Sequence, residues 1–168
     1  MIRKANPADI KEIMKIIGET IVEMHSYGNT QWDESYPQKK DFWEDIQKGE
    51  LYVSERDGTL VGFSCINKVE PAEYTDLPWS IQETAMIIHR MAVAPAWRKS
   101  GIGTELMKFA DEYALKNKVH YLKTDTYSIN TKMSALFVKC GYKWVGEMSF
   151  RGKEKPFYCF EKLLNISE

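Results

Sequence analysis

The sequence lacks a long hydrophobic run and a charge excess of either sign. The apolar run Ala85-Met86-Ile87-Ile88 stops at His89-Arg90, far short of the roughly 18 residues that a membrane helix needs. Lysine and arginine number 23 against 24 aspartate and glutamate residues, so the formal net charge is −1. A nucleic-acid-binding surface requires a basic excess. We therefore expect neither a membrane nor a nucleic acid as a partner.

Cysteine is also scarce, with Cys65, Cys140 and Cys159 widely spaced and no CxxC pair among them. An odd number of isolated cysteines in apolar segments is typical of buried, reduced thiols, so neither disulfides nor a metal site is expected. Residues 1–7 lack the apolar core of a secretory signal, which favours a cytoplasmic location. With 168 residues and no Gly/Ser linker or repeat, residues 1–168 are predicted to form a single domain.

The hydrophobic spacing predicts alternating strands and helices. A helix is expected to open at Asn6-Pro7, a second to follow Pro37 and a third to begin at Gly101, while Asp57-Gly58 is typical of a hairpin turn. The predicted strands cover residues 2–5, 51–54, 60–66, 84–93, 119–125, 142–148 and 157–163, and a fourth helix covers 129–139. The order β-α-α-β-β-β-α-β-α-β-β predicts an α/β fold, a mixed central sheet of about seven strands with helices on both faces.

The segment from Met91 to Leu106 predicts a phosphate site. A strand ends, a basic turn with Arg98 and Lys99 follows, and Gly101 and Gly103 lead into an amphipathic helix. The first amides of a helix have no internal partner and lie at the positive end of its dipole, so they attract phosphate. The spacing is wrong for a Walker loop, and Leu106 stands where a dinucleotide fingerprint needs its third glycine. The alternative is a solvated basic turn without a ligand.

Two motifs resemble the GNAT acetyltransferase superfamily. Arg98-Lys99-Ser100-Gly101-Ile102-Gly103 is similar to its (Gln/Arg)-x-x-Gly-x-(Gly/Ala) signature. The later block resembles the asparagine-containing helix of the superfamily, and runs from Asp125-Thr126-Tyr127-Ser128-Ile129-Asn130 to Ala135-Leu136-Phe137-Val138-Lys139-Cys140-Gly141-Tyr142. Both stand in the expected order and context. The resemblance implies an enzyme that transfers an acetyl group from acetyl-CoA to an amine.

The resemblance also implies which residues contact acetyl-CoA. The backbone of Met91 and Val93 would pair with the pantetheine arm, and Asn130 would bond to the same arm unless it is only a helix cap. The pyrophosphate would lie on the amides of Arg98, Lys99, Ser100, Gly101, Ile102 and Gly103. Phe137 occupies the position where relatives carry the tyrosine that protonates the leaving thiolate, and it can pack against the cofactor but cannot donate a proton.

The catalytic groups are less clearly marked. Tyr127 is the candidate acid nearest Asn130, although a core role is the common one for a tyrosine. Some relatives carry a glutamate base where this chain has Ile87. His89 shares a face with that position by two-residue alternation, and an imidazole has a suitable pKa for a base, so His89 is the candidate base. Asp125 and Glu83 are weaker options, and a structural role for His89 stays open.

The acceptor is expected to meet two segments rich in aromatic and acidic residues, at 27–36 and 70–79. Trp32, Tyr74 and Trp79 would contact a cationic amine through their ring faces, unless they only cover the edge of the core. The predicted activity is direct attack of a primary amine on acetyl-CoA in a ternary complex. The alternative is a CoA-binding regulatory or interaction module of the same fold without turnover, and a homodimer is a further possibility.

Overall fold

The computed structural model describes residues 1–165. It contains seven strands and four α-helices, in the predicted order: β1 Ile2–Lys4, α1 Ile10–Ser26, α2 Lys39–Gln47, β2 Leu51–Arg56, β3 Thr59–Asn67, β4 Met86–Val93, α3 Ile102–Lys116, β5 Tyr121–Tyr127, α4 Thr131–Lys139, β6 Lys143–Met148 and β7 Phe157–Leu163. Short 3₁₀ helices cover Pro7–Asp9, Ala72–Asp76 and Pro95–Trp97. Among the described residues, no helix is both long and apolar enough to span a membrane.

The seven strands form one mixed sheet in the order β1-β2-β3-β4-β5-β7-β6. Strands β1 and β2, β2 and β3, β5 and β7, and β6 and β7 pair antiparallel. Strands β4 and β5 pair parallel, with Ile87 opposite Lys123 and Ile88 opposite Thr124. The predicted α/β class and mixed sheet are confirmed.

Three boundaries around β5 and α4 differ from the sequence prediction. The amide of Val119 bonds to the carbonyl of Ala114 at 2.9 Å, so Val119 closes α3 and β5 begins two residues later, at Tyr121. At its other end β5 continues to Tyr127, which pairs with Phe157. Helix α4 begins at Thr131 because Asn130 caps it, accepting a hydrogen bond from the Met133 amide at 3.2 Å.

By its internal packing the chain divides into two compact units. The first unit comprises residues 1–66 and 90–106. Its core joins the apolar faces of α1 and α2 to β2 and β3, and the rings of Phe42 and Phe63 meet edge to face at 5.3 Å. On the opposite face of β3, Gly62 lies against Ile102 and Leu106 of α3. Helices therefore cover both faces of this strand, as predicted.

The second unit comprises residues 67–89 and, within the described part of the chain, residues 107–165. Its core gathers Tyr74, Ile87, Tyr121 and Cys159, and the tyrosines at 74 and 121 are completely buried. Segment 70–81, predicted to be a loop, contains the 3₁₀ helix Ala72–Asp76 and contributes Tyr74 to this core. The segment is thus part of the packed structure.

Candidate functional site

The turn before α3 exposes backbone amides at the start of a helix. The Arg98 amide still bonds to the carbonyl of Pro95 at 3.2 Å, and the Glu105 amide bonds to the carbonyl of Gly101 at 3.0 Å. The amides of the first helical turn, at 102–104, precede any acceptor that the helix itself can supply. These N–H groups also lie at the positive end of the helix dipole. The turn can therefore accept an anionic ligand on its backbone.

Glycine at position 101 is required by the conformation of the turn. Its φ is +82°, and a Cβ built there would meet no atom within 4 Å. The space above the turn is therefore open, and a larger side chain would project into it. Lys99 and Ser100 are also exposed, whereas Ile102 is buried and fixes the helix start in the core.

Arg98 contributes a positive charge to this turn, although one of its nitrogens is already hydrogen-bonded within the protein. One of its terminal nitrogens donates to Glu23 of α1 at 2.7 Å, while its Nε is buried without a hydrogen-bond partner. A buried N–H that lacks an acceptor is unfavourable until something accepts from it. The orphaned donor, the open space above Gly101 and the first-turn amides all fit a phosphate group.

Met91 and Val93 lie on β4, just before this turn, and both are buried. Their predicted contacts use backbone groups, which burial of the side chains does not block. Their neighbour Arg90, which the sequence did not single out, donates three hydrogen bonds to Asp45 of α2 at 2.6–2.9 Å and a fourth to the Tyr36 hydroxyl at 2.7 Å. This buried pair ties β4 to α2 immediately before the candidate site.

His89 is held in a defined protonation pattern by Asn67. Its Nε2 lies 2.6 Å from Oδ1 of Asn67, and the same oxygen accepts from the Val69 amide at 2.9 Å. An amide oxygen can only accept, so His89 Nε2 must be the donor. In the neutral ring the basic lone pair therefore belongs to Nδ1. A general base needs this kind of fixed tautomer.

Asp125 and Tyr74 form a pair that the sequence did not predict. The Tyr74 hydroxyl donates to Oδ2 of Asp125 at 2.6 Å, and the carbonyl of Tyr74 accepts from the Trp79 indole at 2.7 Å. Burial raises the pKa of Asp125 to about 6, against the lowering effect of the Tyr74 hydrogen bond. Burial also raises the pKa of Tyr74 well above its ordinary value, so the phenol stays a donor. A carboxyl group with this pKa can exchange a proton near neutral pH.

Lys123 and Glu161 anchor segment 70–81 to the sheet. The Lys123 ammonium donates to Glu70 at 2.5 Å and lies 4.3 Å from the centre of the Trp79 ring. Glu161 accepts from the Tyr121 hydroxyl at 2.6 Å and from the amide and hydroxyl of Ser80. A lysine thus already occupies one face of Trp79, the residue predicted to receive a cationic acceptor.

The other predicted acceptor contacts belong to the core. Trp32 is 5% exposed and packs in the core of the first unit, and Tyr74 is 0% exposed. The structure therefore places these two side chains as core residues, the alternative that the sequence left open.

The motif residues of the second unit are buried as well. Phe137 packs against the rings of Phe160 and Tyr142 at 5.3 and 5.9 Å. Tyr127 is 2% exposed, and its hydroxyl oxygen accepts from the Lys155 amide at 3.1 Å. Asn130 caps α4, as its alternative interpretation holds. The structure leaves the predicted cofactor and catalytic roles of these three residues as predictions.

Comparison with known proteins identifies the family. The sequence profile of the acetyltransferase (GNAT) family matches residues 18–142. An uncharacterized N-acetyltransferase of Archaeoglobus fulgidus is 28% identical over 171 aligned positions, covering 96% of this chain and 91% of that protein. A probable N-acetyltransferase of Xenopus tropicalis is 34% identical over 65 residues, which cover 39% of this chain and only 32% of that protein.

Solved structures show the same fold. A GNAT-family acetyltransferase from Streptococcus agalactiae superposes with a TM-score of 0.85 at 24% identity, covering 99% of this chain and 96% of that one. A structure from Salmonella typhimurium, solved with acetyl-CoA as its cofactor, gives a TM-score of 0.70 at 16% identity over 99% of this chain and 95% of that one. The chain belongs to the GNAT acetyltransferase family, whose members in general transfer an acetyl group from acetyl-CoA.

Proposed function

We propose that this protein transfers an acetyl group from acetyl-CoA to a primary amine by direct attack in a ternary complex. The observation that carries the proposal is the turn at residues 98–103. It combines unpaired helix amides, a glycine in open space and an arginine with an orphaned buried donor. These are the donors that a pyrophosphate linkage requires. The acetyl-CoA-bound Salmonella structure supports the same ligand by likeness of fold.

The cofactor contacts follow the family motifs. The amides of residues 98–103 would hold the pyrophosphate, and the backbone of Met91 and Val93 would hold the pantetheine arm. Asn130 and Phe137 would also contact the cofactor, as the second motif implies. Asn130 would do so through the backbone atoms that its helix cap holds in place, and Phe137 would pack against the cofactor.

Direct transfer requires a base for the amine and a proton for the departing sulfur. We propose His89 as a base, because its hydrogen bond to Asn67 leaves the basic lone pair of the neutral ring on Nδ1. Tyr127 is the proposed proton donor to the thiolate. Its oxygen accepts from Lys155, so its own O–H proton is still available to be donated. Replacing Tyr127 by phenylalanine tests this role through the rate of thiol release.

The experiment is a thiol-release assay with acetyl-CoA and a panel of primary amines: an amino acid, a polyamine, a peptide with a free N-terminus and a peptide with a lysine. Thiol release that depends on one amine supports the proposal. Binding of acetyl-CoA without turnover on any amine would instead favour the regulatory module.

The cytoplasmic location and the homodimer expected from the sequence are part of the same proposal, and sedimentation of the purified protein tests the homodimer.

A further inference from the structure

We infer that Asp125, oriented by Tyr74, takes the first proton from the ammonium group of the acceptor. This inference rests on the proposed function and adds a second proton acceptor beside His89. It makes Asp125 a catalytic residue and Tyr74 a positioning residue.

The parallel pairing of β4 and β5 places Asp125 and His89 at corresponding positions of neighbouring strands. Ile88 lies opposite Thr124, so His89 and Asp125 each stand one residue further along their strands. Both residues lie within their strands, just past the parallel pair of Ile88 and Thr124. Two groups that can accept protons thus occupy corresponding positions on neighbouring strands.

The Asp125 side chain differs from the buried aspartates Asp9 and Asp45 in its hydrogen-bond donor. Asp9 is ion-paired with Arg3 at 2.8 Å, and Asp45 with Arg90 at 2.6 Å. Asp125, by contrast, accepts a hydrogen bond from the neutral phenol of Tyr74, and the positive charge of Arg151 also acts on it. An incoming ammonium would form a charge-assisted hydrogen bond to this carboxylate.

The geometry of the pair suits binding and proton transfer. Tyr74 is completely buried, its hydroxyl donates to Oδ2, and its backbone carbonyl accepts from the Trp79 indole. Asp125 itself keeps part of its surface exposed. One carboxyl oxygen is therefore held by the protein while the residue still reaches the surface.

An acceptor R–NH₃⁺ gives one proton to the Asp125 carboxylate and becomes R–NH₂. The nitrogen lone pair forms a bond to the acetyl carbonyl carbon, and the carbon–sulfur bond breaks with its electron pair on sulfur. A second proton passes from nitrogen to His89 as the amide forms, and Tyr127 protonates the thiolate and regains a proton from His89 through solvent. Asp125 then returns its proton to solvent.

The pKa of Asp125 sets the pH dependence of this step, and burial and four neighbouring groups influence that pKa. Burial is the largest influence and raises its pKa, and Glu73 acts in the same direction. The Tyr74 hydrogen bond and the positive charge of Arg151 lower it, while Cys159 of β7 also faces it. The ionised form of Asp125 accepts the proton. We therefore expect kcat/KM to fall as the pH drops below about 6.

The test measures kcat/KM against pH with the best amine from the panel, for wild type and three variants. Asp125→Asn should lose at least about a hundredfold in kcat/KM, as expected for a lost general base, with unchanged affinity for acetyl-CoA. Tyr74→Phe removes one hydrogen bond to the ionised form, so the acid limb should move up by about half to one pH unit. Glu112→Gln changes an exposed acid of α3, outside the acceptor segments, and should leave the profile unchanged.

The outcomes distinguish failure of the proposed role of Asp125 from failure of the proposed acetyl transfer. An Asp125→Asn enzyme that keeps wild-type kcat/KM overturns the inference while the proposed function stands. The same holds for an inactive Asp125→Asn enzyme if the acid limb of Tyr74→Phe does not move, since a structural role would give that result. If wild type acetylates none of the amines, the proposed function itself fails, and this is decided before any variant is made.

Discussion

Replacing Asp45 by asparagine should destabilise the protein strongly, because it leaves the Arg90 guanidinium buried without its counter-charge. The two side chains are only 7% and 16% exposed, and the guanidinium lies 2.6–2.9 Å from both carboxylate oxygens. Breaking a buried ion pair by removing one partner costs about 3–5 kcal/mol. For a domain of this size each kcal/mol lowers the melting temperature by about 2–4 °C, so a drop of about 6–20 °C is expected.

The assay is thermal unfolding followed by circular dichroism, with Glu105→Gln as the matched control. Glu105 pairs with Arg56 at 2.6 Å, but these side chains are 48% and 32% exposed, so its loss should cost less than about 1 kcal/mol. The double variant Asp45→Leu with Arg90→Met removes both charges and should recover part of the loss. An Asp45→Asn protein that melts within about 2 °C of wild type would refute the reasoning.

Two further predictions concern packing and pH. Gly62→Ala should destabilise by about 1–3 kcal/mol in urea unfolding, since its Cβ would lie 3.0 Å from the rigid carbonyl oxygen of Ala92; unchanged stability would contradict this. Burial alone would raise the pKa of Glu161, but hydrogen bonds from Ser80 and Tyr121 outweigh it and the pKa is lowered. Its stabilisation is therefore present above the unfolded pKa of about 4.3 and lost as the pH falls through the lower folded value. Glu161→Gln should be less stable than wild type at pH 7, with the difference shrinking toward pH 3, and a pH-independent difference would be the contrary result.

The order of elements could be predicted from the sequence because it depends on local signals. Apolar spacing defines a helix or a strand within a few turns of chain, and the glycine at 101 marks the start of α3 without any tertiary information. The exact ends of the helices and strands are harder to predict, because local signals alone do not define them. Val119 has a strand-forming side chain, and only the bond from its amide to the carbonyl of Ala114 makes it part of the turn that ends α3.

The phosphate turn was also predictable, since its charge and glycines lie within six consecutive residues. The Tyr74–Asp125 pair was not, because 51 residues separate its members and nothing in either local sequence indicates the other. Asp45 did carry a signal: it lies between Phe42 and Ile46, on a helix whose apolar face is buried. A carboxylate there requires a partner, but the sequence does not say that the partner is Arg90.

Calorimetric titration with acetyl-CoA of wild type, Gly101→Leu and Gly58→Leu tests the central claim most directly. Gly101 and Gly58 have φ values of +82° and +77°, and at either one a Cβ would meet no atom within 4 Å, so both substitutions strain the backbone alike. We expect wild type and Gly58→Leu to bind acetyl-CoA equally well, and Gly101→Leu to bind at least about tenfold more weakly, or 1.4 kcal/mol. Equal affinity in all three proteins, or no binding heat from wild type, would contradict the assignment of the turn at residues 98–103 as the pyrophosphate site.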